Sequence, residues 1–326
     1  MEKIRFGIIG RNFIVDWMMA AMKACEWAEP VAIYSRTMEG AREFAEKYGL
    51  LLTFDDLNAM AECEEIDAVY VASPNCCHYE QSKLMLQHGK HVLCEKPAAS
   101  TATELKYLLL NARDNGVVWL EAMRPVFDDV PDLIRANLDR IGPLRKVRFE
   151  YAQYSSRYDA YKAGKPGNTF NRKLSNSALM DMGCYCVHTL AELFGVPKKI
   201  WAHSVFLENG YEANGNIQMD YGTFLAEASY GKVYQQITPS VLCGEDGTIT
   251  IDGFSDNHPK IRIVLRDGTD ELIPYTEKSP NNMVCELNAF RECIEGIRDP
   301  MHYHINSVIT MELIDEARQQ AGVWFE

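Results

Sequence analysis

Two stretches of this chain carry residues whose types and spacing can do chemistry. The first is Gly7-Ile8-Ile9-Gly10-Arg11-Asn12-Phe13-Ile14, a glycine-bearing turn between the apolar run Ile4 to Ile9 and a helical pattern that starts at Phe13. A strand–turn–helix of this kind aims backbone N–H groups and a helix N-terminus at a pyrophosphate. The usual fingerprint has three glycines. Here Asn12 stands near the place of one, and asparagine tolerates a left-handed backbone better than most residues. A tight turn without ligand is the plainer alternative. The second stretch is Cys94-Glu95-Lys96-Pro97, directly after the strand-like run from His91. At the carboxyl end of a strand in a parallel sheet, Lys96 either meets a carbonyl or hydroxyl near a nicotinamide or points to water beside the turn. Pro97 stiffens that turn and is compatible with a cis bond.

A third position bears on which dinucleotide is bound. The second strand-like run ends Ile33-Tyr34-Ser35-Arg36-Thr37, with no acid where an NAD-selective site usually holds the ribose hydroxyls. Ser35 and Arg36 suit a 2′-phosphate, because guanidinium pairs well with phosphate oxygens. NADP is therefore favoured over NAD, with a solvated surface arginine as the alternative.

These residues need a scaffold, and the first third of the chain spells one. Apolar runs at 4–9, 29–34, 52–54, 68–72, 91–94 and 117–122 alternate with helical patterns at 13–25, 38–48, 56–61, 79–88 and 101–115. In the first helix the apolar spacing is Phe13, Trp17, Ala20, Ala21 and Ala24. Gly49, Gly89 and Gly116 stand where helices stop. Strands alternating with helices of this length imply βαβ crossovers and a doubly wound parallel sheet. The expected first domain is residues 1–122, an NAD(P)-binding Rossmann domain.

After Arg124 the pattern changes. Residues 127–140 and 177–194 read as helices, and 146–154 as a half-buried strand of period two. Between 199 and 273 strand-like runs are separated by Asn209-Gly210, Tyr221-Gly222, Asp246-Gly247 and Asp267-Gly268, which are hairpin signals. Helices are expected at 282–296 and 306–322. The second domain, 123–326, is then α+β with an open, mainly antiparallel sheet, and its C-terminal helix is free to pack back on the Rossmann domain. Overall the chain is α/β.

Composition narrows the function. Thirty-three basic against 46 acidic residues leave a net charge of −13, which argues against a nucleic-acid partner. No stretch approaches the ~20 apolar residues of a membrane span, and no signal peptide is visible, so a cytoplasmic location is expected. The ten cysteines include no Cys-x-x-Cys pair and read as reduced thiols. His302 and His304 lack a partner at ligand spacing, so no metal is expected.

The loop sequences also resemble a known family. Ser73-Pro74-Asn75-Cys76-Cys77-His78, and then Gly89-Lys90-His91-Val92-Leu93-Cys94-Glu95-Lys96-Pro97, look like the Gfo/Idh/MocA oxidoreductases. The likeness continues in the second half, where Ala178 to His188 is similar to that family's active-site helix. Asp181 followed four residues later by Tyr185, with Cys186 close behind, resembles the dihydrodiol dehydrogenase and glucose–fructose oxidoreductase branch; the inositol branch has histidine in place of Tyr185. The resemblance implies hydride transfer between a nicotinamide and the carbinol or carbonyl carbon of a small sugar, polyol or diol. Lys96 would hold the reacting oxygen, Tyr185 would be its acid/base partner, and Asp181 would orient substrate or tune the lysine. It implies cofactor contacts from Gly7, Gly10, Arg11, Asn12, Phe13, Ile14, Ser35, Arg36, Ser73, Pro74, Asn75, His78, Glu95 and Lys96. It also implies an open sheet that often forms a dimer interface, giving a homodimer or a dimer of dimers.

The residues themselves allow these roles beside plainer ones. Positions 181 and 185 share one helix face, and a cation beside a phenol favours phenolate; an ordinary helix carboxylate and a packed ring are the alternatives. Asn75 and His78 also suit the start of the helix near Tyr79. Arg124 either contacts cofactor or substrate or braces the crossing into the second domain. His188 is a candidate substrate contact or a satisfied core histidine. The polar stretch holding Arg157, Lys165, Asn168 and Arg172 precedes the active-site helix, where the resemblance implies a loop near substrate, but its residues read as a mobile solvated loop. A non-catalytic dinucleotide sensor is the competing reading, kept open by Asn12 and opposed by Lys96, Asp181 and Tyr185, since a sensor needs no acid/base set.

Overall fold

The computed structural model describes residues 3–165, 167–256, 258–277 and 279–325. The first part runs β1 (Ile4–Ile9), α1 (Phe13–Ala24), β2 (Ala28–Tyr34), α2 (Met38–Tyr48), β3 (Leu52–Phe54), α3 (Leu57–Ala61), β4 (Ala68–Val71), α4 (His78–Gln87), β5 (His91–Glu95), α5 (Ala102–Asp114) and β6 (Trp119–Ala122). Then come α6 (Val130–Asn137), β7 (Leu144–Ala152), α7 (Tyr158–Lys162) and α8 (Cys184–Phe194). Seven strands follow: β8 (Lys199–Phe206), β9 (Glu212–Asp220), β10 (Leu225–Gly231), β11 (Ser240–Gly244), β12 (Gly247–Asp252), β13 (Lys260–Leu265) and β14 (Asp270–Ile273). Two helices, α9 (Met283–Ile294) and α10 (Met301–Ala321), close the chain. Two compact units result, one of residues 1–123 with 281–305 and one of 124–280 with 306–326.

The first unit holds a six-stranded parallel sheet in the order β3-β2-β1-β4-β5-β6, so the winding reverses between β1 and β4. Ligands of doubly wound sheets bind at that reversal, beyond the carboxyl ends of the strands. β4 and β6 are buried at every position, as a sheet covered by helices on both faces requires. Helix α1 differs from its expected packing. Its buried face is Val15, Met18, Met19, Ala21 and Met22, while Phe13 and Trp17 are exposed and meet edge-to-face. Alanines match either face of the helix, and the larger methionines decide which face buries more apolar surface.

The second unit is built on an eight-stranded sheet ordered β14-β13-β12-β11-β7-β10-β9-β8. Every neighbouring pair is antiparallel except β7 with β10. All four expected glycine turns join adjacent strands. The helix expected over 127–140 is broken: a 3₁₀ turn at Arg124–Phe127 precedes α6, and another at Leu138–Ile141 follows it. Pro131 sits in the first turn of α6, where it starts a helix well but resists continuing one from upstream. The expected solvated stretch 158–176 contains α7, where Tyr158 and Tyr161 both lie against the buried ring of Phe170. Aromatic anchoring outweighs the polar composition there.

Candidate functional site

The phosphate loop at the reversal point is built around Gly10. Its φ is +120°, and a Cβ there would lie 2.4 Å from the carbonyl oxygen of Ala72 at the end of β4. Only glycine lets the two strand ends approach this closely. Asn12 does not use a left-handed backbone; its φ of −81° is ordinary. It works as the N-cap of α1 instead. Its side-chain oxygen accepts from the N–H of Ile14 at 3.0 Å and of Val15 at 3.4 Å, and its Nδ2 donates to Ala72 at 3.1 Å. Asn12 thus ties the β1 loop to β4 where a glycine could not. Gly10 keeps a side chain out of the turn that leads into α1, as a pyrophosphate-binding loop requires. Gly7 lies within β1, where a Cβ would clash with Met60, so it serves helix–sheet packing; Phe13 is exposed and Ile14 half-buried.

At the end of β2, Ser35 is buried and Arg36 exposed. Thr37 caps α2 by accepting from the N–H of Gly40, and Arg11 reaches the same turn, donating to the Gly40 carbonyl at 3.0 Å. Two arginines therefore flank this corner, Arg11 also pairing with Glu43, and none of residues 34–37 is acidic.

The Glu95-Lys96-Pro97 turn leaves β5 with a cis Lys96–Pro97 peptide. Three groups fix it. Tyr70 in β4 donates its hydroxyl to the Glu95 carboxylate at 2.6 Å inside the sheet. The N–H of Ala98 donates to Glu121 of β6 at 2.8 Å. His78 places Nδ1 2.9 Å from the Pro97 carbonyl oxygen and Nε2 3.0 Å from that of Ser73. The imidazole is buried, and burial holds it below the usual histidine range. Burial and the charge of Glu95 likewise push the Tyr70 hydroxyl well up, so it stays a donor. Lys96 is half-buried at the mouth of this turn, Pro74 is exposed, and Ser73 and Asn75 are half-buried. Glu95, expected among cofactor contacts, faces Tyr70, and His78 faces two backbone carbonyls. Tyr70 and Glu121 were not singled out in the sequence. The signal for Glu121 was a lone acid in the apolar run Trp119-Leu120-Glu121-Ala122.

In the second unit, residues 179–183 form a π-helical turn that leads into α8. Gly183 permits it, since a Cβ there would meet Leu179 and the ring of Tyr230 at 2.8 Å. π-Turns inside helices often re-aim side chains at functional sites. Here Asp181 is half-buried and forms an ion pair with the buried Lys232 just past β10. Tyr185 is buried; its ring meets that of Tyr151 edge-to-face at 5.4 Å, and Arg124 approaches its hydroxyl at 3.4 Å. His188 is buried within α8. The structure brings Arg124 to Tyr185 and gives Asp181 a partner, Lys232, that the sequence reading missed. Among the described residues no cluster of three or more metal-binding side chains occurs, and no helix is long and apolar enough to cross a membrane.

One unit with a doubly wound parallel sheet and a second, α+β unit with an open sheet define a class of two-part oxidoreductases, and comparison with known proteins specifies which. Residues 4–122 match the family model described as oxidoreductase family, NAD-binding Rossmann fold, and residues 132–250 match the GFO/IDH/MocA C-terminal domain. The chain belongs to the Gfo/Idh/MocA family and is an NAD(P)-dependent dehydrogenase or reductase. It is 38% identical over 98% of both chains to scyllo-inositol 2-dehydrogenase (NADP(+)) IolU of Bacillus subtilis (strain 168). It is 28% identical to trans-1,2-dihydrobenzene-1,2-diol dehydrogenase of Xenopus tropicalis, over 98% of this chain and 97% of that one. The fold matches the 3-ketoreductase KijD10 from Actinomadura kijaniata with a TM-score of 0.88 at 22% identity, covering 98% of each chain.

Proposed function

We propose that this protein is an NADP(H)-preferring enzyme that oxidises a carbinol, or reduces the matching carbonyl, on a small sugar, polyol or diol. When bound, the nicotinamide takes or supplies the hydride at the substrate carbon. Lys96 holds the reacting oxygen and Tyr185 exchanges its proton, with Arg124 orienting the phenol by a 3.4 Å contact to its hydroxyl. Asp181 orients substrate hydroxyls, and its ion pair with Lys232 holds its carboxylate in place. Arg124 and His188 line the substrate side. The observation that carries this reading is the placing of Lys96 at the carboxyl end of β5 on a turn held by Tyr70, His78 and Glu121. A surface lysine needs no such support; a lysine that must meet one oxygen does.

The NADP preference is supported by the arginines at 11 and 36, by the missing acid after β2, and by the NADP(+)-linked relative. We assign the cofactor to the unit of residues 1–123 with 281–305 and the substrate to the unit of 124–280 with 306–326, in a cytoplasmic homodimer or dimer of dimers. One face of the eight-stranded sheet carries exposed Trp201, Val205, Leu225, Val264 and Leu272, which suits a second copy.

The test joins binding with turnover. NADPH fluorescence on titration reports the cofactor, and absorbance at the nicotinamide band with inositols, sugars, diols and dicarbonyls reports the substrate. Lys96→Ala is expected to abolish turnover and leave NADPH binding within about twofold. Retained turnover removes the lysine from the mechanism.

A further inference from the structure

We propose that Cys76 and Cys77 form an oxidant-responsive dithiol that closes to a disulfide with peroxides and thereby weakens dinucleotide binding. The two sulfurs lie 3.7 Å apart on the short 3₁₀ turn 75–77. Cys76 is exposed and Cys77 half-buried. The turn follows Ser73-Pro74 at the carboxyl end of β4, beside the β1 loop at the point where the sheet reverses. Arg36, the residue assigned to a 2′-phosphate, acts electrostatically on the Cys77 thiol. The dithiol therefore follows the strand that neighbours β1 and lies within electrostatic reach of Arg36.

The two sulfurs have different parts. Burial and the neighbouring Cys76 push the Cys77 thiol up to about 11, against the pull of Arg36, so it stays protonated at rest. Cys76 is the sulfur that a solvent-borne oxidant reaches. Its thiolate attacks one peroxide oxygen, the O–O bond breaks, and Cys76 becomes a sulfenic acid with release of water once the leaving oxygen is protonated. Cys77 then gives up its proton and displaces the sulfenic oxygen as a second water, forming the S–S bond. In sum two thiols and one hydrogen peroxide yield one disulfide and two waters.

Closure has a structural consequence. Consecutive Cα atoms are about 3.8 Å apart, whereas relaxed disulfides span about 4.4–6.8 Å. The turn must therefore give. Its bonds run from Cys77 N–H to the Pro74 carbonyl at 2.8 Å and from His78 N–H to the Asn75 carbonyl. His78 starts α4, and its ring contacts both Ser73 and Pro97, so the distortion reaches the β4 loop and the Lys96 turn together. A strained, exposed disulfide is also readily reduced, which makes the change reversible.

This inference rests on the cofactor reading above, and the experiment separates the two. The full-length protein, Cys76→Ser and Cys77→Ser are treated with hydrogen peroxide, with and without NADPH, then alkylated, and the peptide holding residues 76 and 77 is weighed. NADPH affinity is measured by fluorescence before and after oxidation and again after dithiothreitol. The expected result is loss of two hydrogens from that peptide in the wild-type chain alone, slowed by NADPH. It comes with an at least fivefold weaker NADPH affinity that dithiothreitol restores and that Cys76→Ser does not show. Absence of the mass change overturns the disulfide, and a mass change with unaltered NADPH affinity overturns its control of binding. Failure of the reduced protein to bind NADPH overturns the cofactor reading and the control of binding with it, while the mass change still decides the thiol chemistry.

Discussion

The Nδ1 of His78 lies 2.9 Å from the carbonyl oxygen of Pro97, and the opposite ring nitrogen lies 3.0 Å from that of Ser73. One buried side chain thus spans the loop after β4 and the turn after β5. Both loops are assigned here to the same chemistry, one to the cofactor and one to Lys96.

Removing that span is expected to harm both. His78→Ala removes the imidazole N–H that bonds one of these carbonyls, at about 1–3 kcal/mol of stability, and loosens the Lys96 turn, so kcat falls more than tenfold. Urea unfolding and steady-state kinetics measure the two effects. The pH dependence has a definite sign. Burial lowers the His78 pKa in the folded chain, so on acidification the unfolded chain takes the proton first. Stability from this group is complete above about pH 6.5 and declines as the pH falls towards the depressed folded value. His91 and His304 are lowered by burial as well and share the slope. His78→Gln should make the slope shallower.

The pairing of Asp181 with Lys232 predicts non-additive behaviour. Lys232 is buried and Asp181 only half so, and stripping the partner from a buried charge costs about 3–5 kcal/mol. Asp181→Ala should approach the lower figure because water reaches the site. Lys232→Met in the same chain should recover part of that loss without recovering turnover. Additive losses in a double-mutant cycle would mean the pair is not energetically coupled.

Arg36 predicts cofactor choice. A guanidinium–phosphate contact is worth about 1.5–3 kcal/mol, or roughly 10–100-fold. Arg36→Ala should raise the KM for NADPH by that factor and leave the KM for NADH nearly unchanged. Equal effects on both would remove Arg36 from 2′-phosphate recognition.

Gly10 and Asn12 differ in what they do, so their variants should differ in kind. Gly10→Ala places a Cβ against the Ala72 carbonyl in a backbone region unfavourable to alanine, and NADPH binding should be lost. Asn12→Ala removes an N-cap and should cost about 1 kcal/mol, with a modest loss of NADPH affinity. Calorimetry of the two proteins distinguishes a blocked loop from a weakened one.

Much of this was legible in the amino-acid order. The six parallel strands, the position of Lys96 after the fifth, and the four glycine turns of the second sheet all follow from local periodicity and turn chemistry, which act over a few neighbouring residues. The resemblance carried by Glu95-Lys96-Pro97 and the Asp181 helix pointed to the Gfo/Idh/MocA family before any fold was known. Misreadings arose where local pattern was degenerate. Alanines in α1 match two faces, and the apolar spacing of 127–140 hides the break that Pro131 makes.

What only the tertiary structure decided was partnership. Asn12 reads as a defective glycine until the Ala72 carbonyl stands beside it. Asp181 reads as an acid facing substrate until Lys232, fifty-one residues on, arrives from the end of β10. The Lys96 turn could be found from its sequence alone, but the groups that hold that turn, Tyr70, His78 and Glu121, come from β4, α4 and β6 and meet only when the sheet winds. Hydrogen bonds and ion pairs act over about 3 Å, and chain order sets no such distance between residues far apart in sequence. That is why the motif was visible and its support was not.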